Sequence, residues 1–184
     1  SSPPFPISPI DFSDSDVTVI LPALNEAATV GDVIARIRGA SARFHILVVD
    51  DGSRDDTATI AQAAGARVIS HEGNFGNGAS VKTGIRAAQT PIVVLMDADG
   101  QHPPEAIPKL LETLRDFDMV VASRSASAQS AFRQFGNFLL NSFARLLAGR
   151  RILDLTSGFR AARRDALLEY IHLFRNAFSY ASSS

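Results

Sequence analysis

The sequence contains no cysteine. Disulfide scaffolds, thiolate metal centres and cysteine nucleophiles are therefore excluded. No apolar run approaches the roughly 18 residues that a membrane-crossing helix needs. Residues 1–15 have neither a positive start nor an apolar stretch, so they do not read as a secretory signal. Glycine and proline are sparse, at 12 and 9 of 184 residues, which removes collagen-like classes. There is no nucleophile-elbow motif, which argues against a serine hydrolase. Helix-turn-helix, zinc-finger and RNA-recognition signatures are missing too, and the chain is slightly acidic, which argues against nucleic acid as a partner.

What is present suits one globular domain. Hydrophobic residues make up 46% of the chain and charged residues 20%. A domain of this length buries about 70% of its unfolded surface, enough for a core. The net charge of −1 hides a strong asymmetry. Residues 1–123 carry 9 basic and 16 acidic side chains, whereas residues 124–164 carry 8 arginines and the single acid Asp154. Such a stretch is either a solvated helix face or a surface for anions such as phosphate or an acidic membrane leaflet.

The hydrophobic pattern alternates in kind along the chain. Residues 1–16 are rich in proline and serine and read as a flexible arm. Short apolar, β-branched runs predict strands at 17–21, 45–49, 67–70, 92–96 and 119–122. Helical spacing predicts helices at 27–40, 55–64, 79–88, from Pro103 to about Arg115, and at 135–148. Strands that are apolar throughout and separated by helices indicate a mostly parallel central sheet with helices on both faces. In such folds ligands bind beyond the carboxyl ends of the strands. The polar clusters fall there: Asn25-Glu26, Asp50-Asp51 and Asp97-Ala98-Asp99.

Each cluster has two readings. Asp97 and Asp99, at i and i+2 on a strand end, would share one face about 7 Å apart. They either bridge Mg²⁺ to a diphosphate or form a turn that caps the helix at Pro103. In Asp50-Asp51-Gly52-Ser53, Ser53 or Asp55 is ordinary helix-start chemistry; the two preceding acids are suited to a ribose or a base. Asn74-Phe75-Gly76-Asn77-Gly78 matches neither the dinucleotide nor the Walker fingerprint and reads as a tight turn placing a helix. His102 is either a ligand or base beside the two aspartates or a helix-start residue. His45, His71 and His172 have no acidic partner at suggestive spacing. Phe132, Phe135, Phe138 and Phe143, among arginines, suit either a core or a membrane surface.

Four motifs in order carry a family resemblance: Pro22-Ala23-Leu24-Asn25-Glu26, Val49-Asp50-Asp51-Gly52-Ser53, Asp97-Ala98-Asp99-Gly100-Gln101-His102-Pro103-Pro104-Glu105 and Ser157-Gly158-Phe159-Arg160. Together they resemble family 2 glycosyltransferases of the dolichol-phosphate mannosyltransferase and polyprenyl-phosphate glycosyltransferase type, over about Val17 to Tyr180. The resemblance implies an α/β, Rossmann-like GT-A fold. It implies a metal-dependent, inverting hexosyltransferase that moves mannose or glucose from a nucleotide-sugar to a polyprenyl or dolichyl phosphate. By the same resemblance Pro22, Leu24, Glu26, Val49, Asp51, Asp97 and Ala98 bind the nucleotide. Asp97, Asp99 and Gln101 hold Mg²⁺ or Mn²⁺. Asp99, Arg124 and Arg133 are catalytic, and Arg133, Asn137 and Ser157 meet the acceptor.

The resemblance also implies a place at the cytoplasmic face of a membrane, as a peripheral protein. Residues 17–184 form the catalytic domain, and relatives continue past this point with a further strand, amphipathic helix and often transmembrane segments. Leu24 stands where many relatives have tyrosine, and Asn77 where a lysine is common. Two alternatives remain: a family 2 enzyme with a soluble or saccharide acceptor, and an inactive nucleotide-sugar-binding module.

Overall fold

The computed structural model describes residues 11–122 and 158–171. Six strands form one sheet: β1 (Val17–Ala23), β2 (His45–Asp50), β3 (Arg67–Ser70), β4 (Ile92–Leu95), β5 (Met119–Val121) and β6 (Arg160–Arg163). Their spatial order is β3-β2-β1-β4-β6-β5. β1 to β4 pair parallel with one another, as the apolar runs predict. β6 lies antiparallel between β4 and β5. Nothing in the pattern predicts β6, because Arg160-Ala161-Ala162-Arg163 is short and bounded by charges; it is a strand because Ala161 and Ala162 fit between two apolar neighbours.

Helices α1 (Val30–Ala40), α2 (Thr57–Ala63), α3 (Asn77–Ala87), α4 (Ile107–Leu114) and α5 (Arg164–Tyr170) cover the sheet. Side chains alternate across β1, so the core has two halves. Val17, Val19 and Leu21 pack with Val33, Ile34 and Ile37 of α1 and Ile107 and Leu114 of α4 on one face. Ile20 packs with Leu47, Val49, Ile85 of α3 and Leu167 of α5 on the other. Pro103 and Pro104 do open a helical segment, beginning as a 3₁₀ turn at Pro104–Ala106 and continuing as α4.

Two expectations shift. β4 ends at Leu95, so Asp97 and Asp99 stand on a turn beyond the strand rather than on strand geometry. The turn forms because the Gln101 amide donates to Asp99 Oδ1 at 2.9 Å and Gly100 takes a φ of 75°. The flexible arm expected over residues 1–16 is held along residues 11–16. Phe12 packs on the core, Asp14–Asp16 form a 3₁₀ turn, and Arg115 pairs with Asp11 at 3.0 Å. Residues 1–10 lie outside the described residues, as does the helix expected at 135–148.

Candidate active site

The loops after β1 and β2 are sewn together by side chains. Asn25 adopts a φ of 56°, a left-handed conformation that asparagine tolerates. Its amide donates to Ser53 Oγ at 2.9 Å, and its Oδ1 accepts from the Arg54 amide at 2.9 Å. The Glu26 amide donates to Thr57 Oγ1 at 2.8 Å and the Ala27 amide to Asp55 Oδ2 at 3.1 Å. Ser53 is therefore a bridge between loops and not the helix cap its position suggests; the residue preceding α2 is Asp56. The Ser53 amide in turn donates to Asp50 Oδ1 at 3.2 Å.

Asp51 is fully buried at the end of β2. Its Oδ1 lies 2.7 Å from His71 Nδ1 and accepts from the Phe75 amide at 3.0 Å; its Oδ2 accepts from the Gly76 amide at 2.8 Å. Burial pushes the carboxyl pKa up, but the His71 bond and the two amides outweigh it and hold the group below its ordinary value. On its other side His71 Nε2 lies 2.9 Å from Thr83 Oγ1 of α3. A side chain on Gly52 would meet the Gly73 backbone at 2.7 Å, so the two loops are in tight contact. Asp51 thus fixes the glycine loop. His71 is the partner of Asp51 that the spacing conceals, since its acid is 20 residues away and one strand over.

The Asp97–Asp99 turn closes the other side. Thr29 Oγ1, at the start of α1, lies 2.8 Å from Glu26 Oε2 and 2.9 Å from the Ala98 carbonyl, tying the first loop to the turn. Burial raises the Glu26 pKa above its ordinary value; the Thr29 bond opposes this, and the nearby charges of Asp99, Asp55 and Asp97 raise it further. His102 is 5% exposed, with Nε2 at 3.5 Å from Asp97 Oδ2 and its ring 5.4 Å from Phe159. Among the described residues that buried nitrogen has no hydrogen-bond partner. A Cβ on Gly158 would lie 2.3 Å from Asp97 Oδ2, so the bare glycine gives the carboxylate its place.

These features bear on a divalent cation. Among the described residues, Asp97 and Asp99 form no ion pair with lysine or arginine, and no three His, Cys, Asp or Glu side chains cluster to hold a metal by themselves. Two carboxylates completed by water and phosphate oxygens are what Mg²⁺ takes. Burial raises the Glu26 pKa first, and the charges of Asp99, Asp55 and Asp97 add to it. The residues therefore fit a cation shared with a diphosphate.

The structure brings Leu24, Glu26, Asp51, Asp97 and Asp99 to one edge of the sheet, with Gln101 exposed beside them. Pro22 and Ala98 are buried under that edge, and the Val49 side chain belongs to the core. Arg124, Arg133, Asn137 and Ser157 lie outside the described residues.

A six-stranded, mostly parallel sheet with an acidic turn beyond β4 and an antiparallel strand beside it is the architecture of a GT-A glycosyltransferase. Residues 18–171 match the family Glycosyl transferase family 2, and the chain belongs to that family. The dolichyl-phosphate hexose transferase of Haloferax volcanii is 35% identical over 162 residues, covering 85% of this chain and 70% of the relative. The undecaprenyl-phosphate 4-deoxy-4-formamido-L-arabinose transferase of Pseudomonas syringae is 32% identical over 183 residues, covering 89% of this chain and 54% of the relative. Glucosyl-3-phosphoglycerate synthase from Mycobacterium tuberculosis, solved with Mn²⁺, UDP-glucose and glycerol 3-phosphate, matches with a TM-score of 0.66 and 30% identity. That match covers 82% of this chain and 57% of the synthase. The chain thus spans between about half and 70% of the length of these relatives.

Proposed function

We propose that this protein transfers a hexose from a nucleotide-sugar to a polyprenyl phosphate, with inversion at the anomeric carbon. The observation that carries the reading is the Asp97–Asp99 turn, set against Glu26 at the carboxyl edge of β1 and β4. Two curated relatives named for polyprenyl-phosphate acceptors support the acceptor class.

In this reading the nucleoside lies over the ends of β1 and β2, between the Leu24–Glu26 loop and the glycine loop that Asp51 holds. Asp97 and Asp99, with Gln101, would hold Mg²⁺ or Mn²⁺ together with the donor diphosphate. When bound there, the cation supplies charge neutralisation for the departing nucleoside diphosphate. His102 and Gly158 keep the Asp97 carboxylate aimed at that position. Arg124 would face the donor phosphates, and Arg133, Asn137 and Ser157 the acceptor.

The acceptor explains why no general base stands out. A phosphate monoester has its second pKa near 6, so at neutral pH it is largely a dianion. A phosphate oxygen attacks the anomeric carbon as the bond to the donor diphosphate breaks; the leaving group takes the electron pair, and no proton needs removal. The chain must instead hold two anions together in line, the work assigned to Arg124 and Arg133.

In this reading a lipid acceptor calls for action at a membrane surface, which we assign to the cytoplasmic face. No helix among the described residues is long and apolar enough to cross a bilayer. One observation favours a second reading: the structural neighbour above was solved with a soluble phosphorylated compound, glycerol 3-phosphate. Steady-state transfer assays with the Arg133→Ala protein test the lipid reading. A raised KM for polyprenyl phosphate at unchanged donor affinity supports it; unchanged kinetics remove Arg133 from the acceptor site.

A further inference from the structure

Among the described residues, Phe75 and Phe117 are the exposed large hydrophobic side chains, at 59% and 41%. Phe117 precedes β5 at the amino edge of the strands, away from the site. Phe75 stands at the carboxyl edge, on the glycine loop. Its amide is fixed to Asp51 Oδ1 at 3.0 Å, and its ring lies 5.4 Å from the His71 ring at a tilt of 55°. The loop beneath is anchored by the Gly76–Asp51 bond and by the close contact of Gly73 with Gly52. An apolar ring is therefore held outward on a backbone already ordered, beside the strand ends where nucleotides bind in such sheets.

We infer that Phe75 is the stacking surface for the nucleobase of the donor, and so contributes to its selection. The inference rests on the nucleotide-sugar reading of this edge. A base offers a flat face to an aromatic ring, and a ring fixed before binding loses little entropy on contact. A lipid surface is the weaker occupant. A membrane-facing loop draws on lysine or arginine beside its apolar group, whereas from His71 to Gly78 the side chains include Glu72 and neither lysine nor arginine.

The chain contains no tryptophan, so Phe75→Trp introduces a single fluorophore at the site and Phe117→Trp a control on the opposite edge. With Mg²⁺ present, UDP or GDP should change the emission of the Phe75→Trp protein saturably, inorganic pyrophosphate should not, and the Phe117→Trp protein should respond to neither. By calorimetry Phe75→Ala should weaken nucleoside diphosphate binding about 5- to 150-fold and leave pyrophosphate binding as it was, with an unchanged circular dichroism spectrum. If the native chain binds UDP or GDP and Phe75→Ala binds it equally, the stacking role is overturned while the donor site stands. If the native chain binds neither, the donor site fails and the stacking role with it. A Phe75→Trp signal that follows vesicles of anionic lipid but not nucleotide would overturn the inference in favour of a membrane contact.

Discussion

Asp51 and His71 meet at 2.7 Å across the ends of β2 and β3, and the same carboxylate holds the amides of Phe75 and Gly76. An acid at a strand end is readily taken for a group that touches the ligand. Here both oxygens are engaged inside the protein, so in the proposed reading Asp51 would act on a nucleoside through the loop. Removing it takes the acceptor from the Phe75 amide and the partner from His71 Nδ1, while the Gly76 amide keeps Asn74 Oδ1 at 3.1 Å. Asp51→Ala is expected to lower stability by about 3 kcal/mol, given about 1.5–3 kcal/mol for a hydrogen bond to a charged group. It should weaken nucleotide binding in the same protein. Urea denaturation at pH 7 measures the first and calorimetry the second; weaker binding without loss of stability would mean that Asp51 touches the ligand directly.

The same network sets a pH dependence. The folded-state pKa of Asp51 lies below its ordinary value, so its contribution is complete above the unfolded pKa of about 3.9 and fades as pH falls through the folded value. The stability gap between the native chain and Asp51→Asn should shrink as pH falls below about 4. Urea midpoints of the two proteins across this range give the gap directly, with all other carboxylates cancelling. A gap that persists unchanged to pH 3 would contradict the assignment.

Glu26 titrates in the opposite sense. Its folded-state pKa is raised, first by burial and then, against the Thr29 bond, by Asp99, Asp55 and Asp97. Folding therefore disfavours its charge at neutral pH, and that penalty is relieved as pH falls through the raised value. Glu26→Gln keeps the shape and an oxygen for Thr29 while removing the charge. Without added metal it should raise Tm at pH 7, and the rise should diminish below pH 5. A lowered Tm at pH 7 would show that the carboxylate stabilises the fold as it stands.

Gly158 leaves room for Asp97. A methyl group there would lie 2.3 Å from Oδ2 and must displace the carboxylate. Gly158→Ala should reduce turnover on the order of 10²-fold, the scale of a displacement of about 1 Å near reacting groups. Calorimetric titration of nucleoside diphosphate in Mg²⁺ should show a matching loss, while titration without metal should not distinguish the two proteins. Turnover at the native level would mean that Asp97 has another way to sit.

Much of this was legible in the sequence for local reasons. The β-branched runs at β1, β2 and β4 could only be buried strands, and Val30, Val33, Ile34 and Ile37 mark the inner face of α1 without ambiguity. The three acidic clusters lie at strand ends because parallel strands carry their loops to one edge. What stayed hidden depends on distant pairing. β6 is a strand through its two neighbours, and its alanines carry no signal alone. His71 finds its acid on another strand, and His102 lies under Asp97 because the chain turns at Gly100. Ser53 resembles a helix cap, yet Asn25 claims its oxygen.

In the proposed function the Asp97–Asp99 turn supports glycosyl transfer to a lipid phosphate. The most direct measurement is transfer of radiolabelled sugar from UDP-glucose and GDP-mannose to a short polyprenyl phosphate in Mg²⁺ or Mn²⁺. The neutral polyprenol and 3-phosphoglycerate serve as competing acceptors, and Asp99→Asn as the control protein. Labelled lipid is expected from one of the two donors with the phosphate acceptor, with loss of that product with a chelator or with Asp99→Asn, and none with the neutral alcohol. Equal transfer to the polyprenol would contradict phosphate as the nucleophile, and product on 3-phosphoglycerate alone would move the protein to a soluble acceptor.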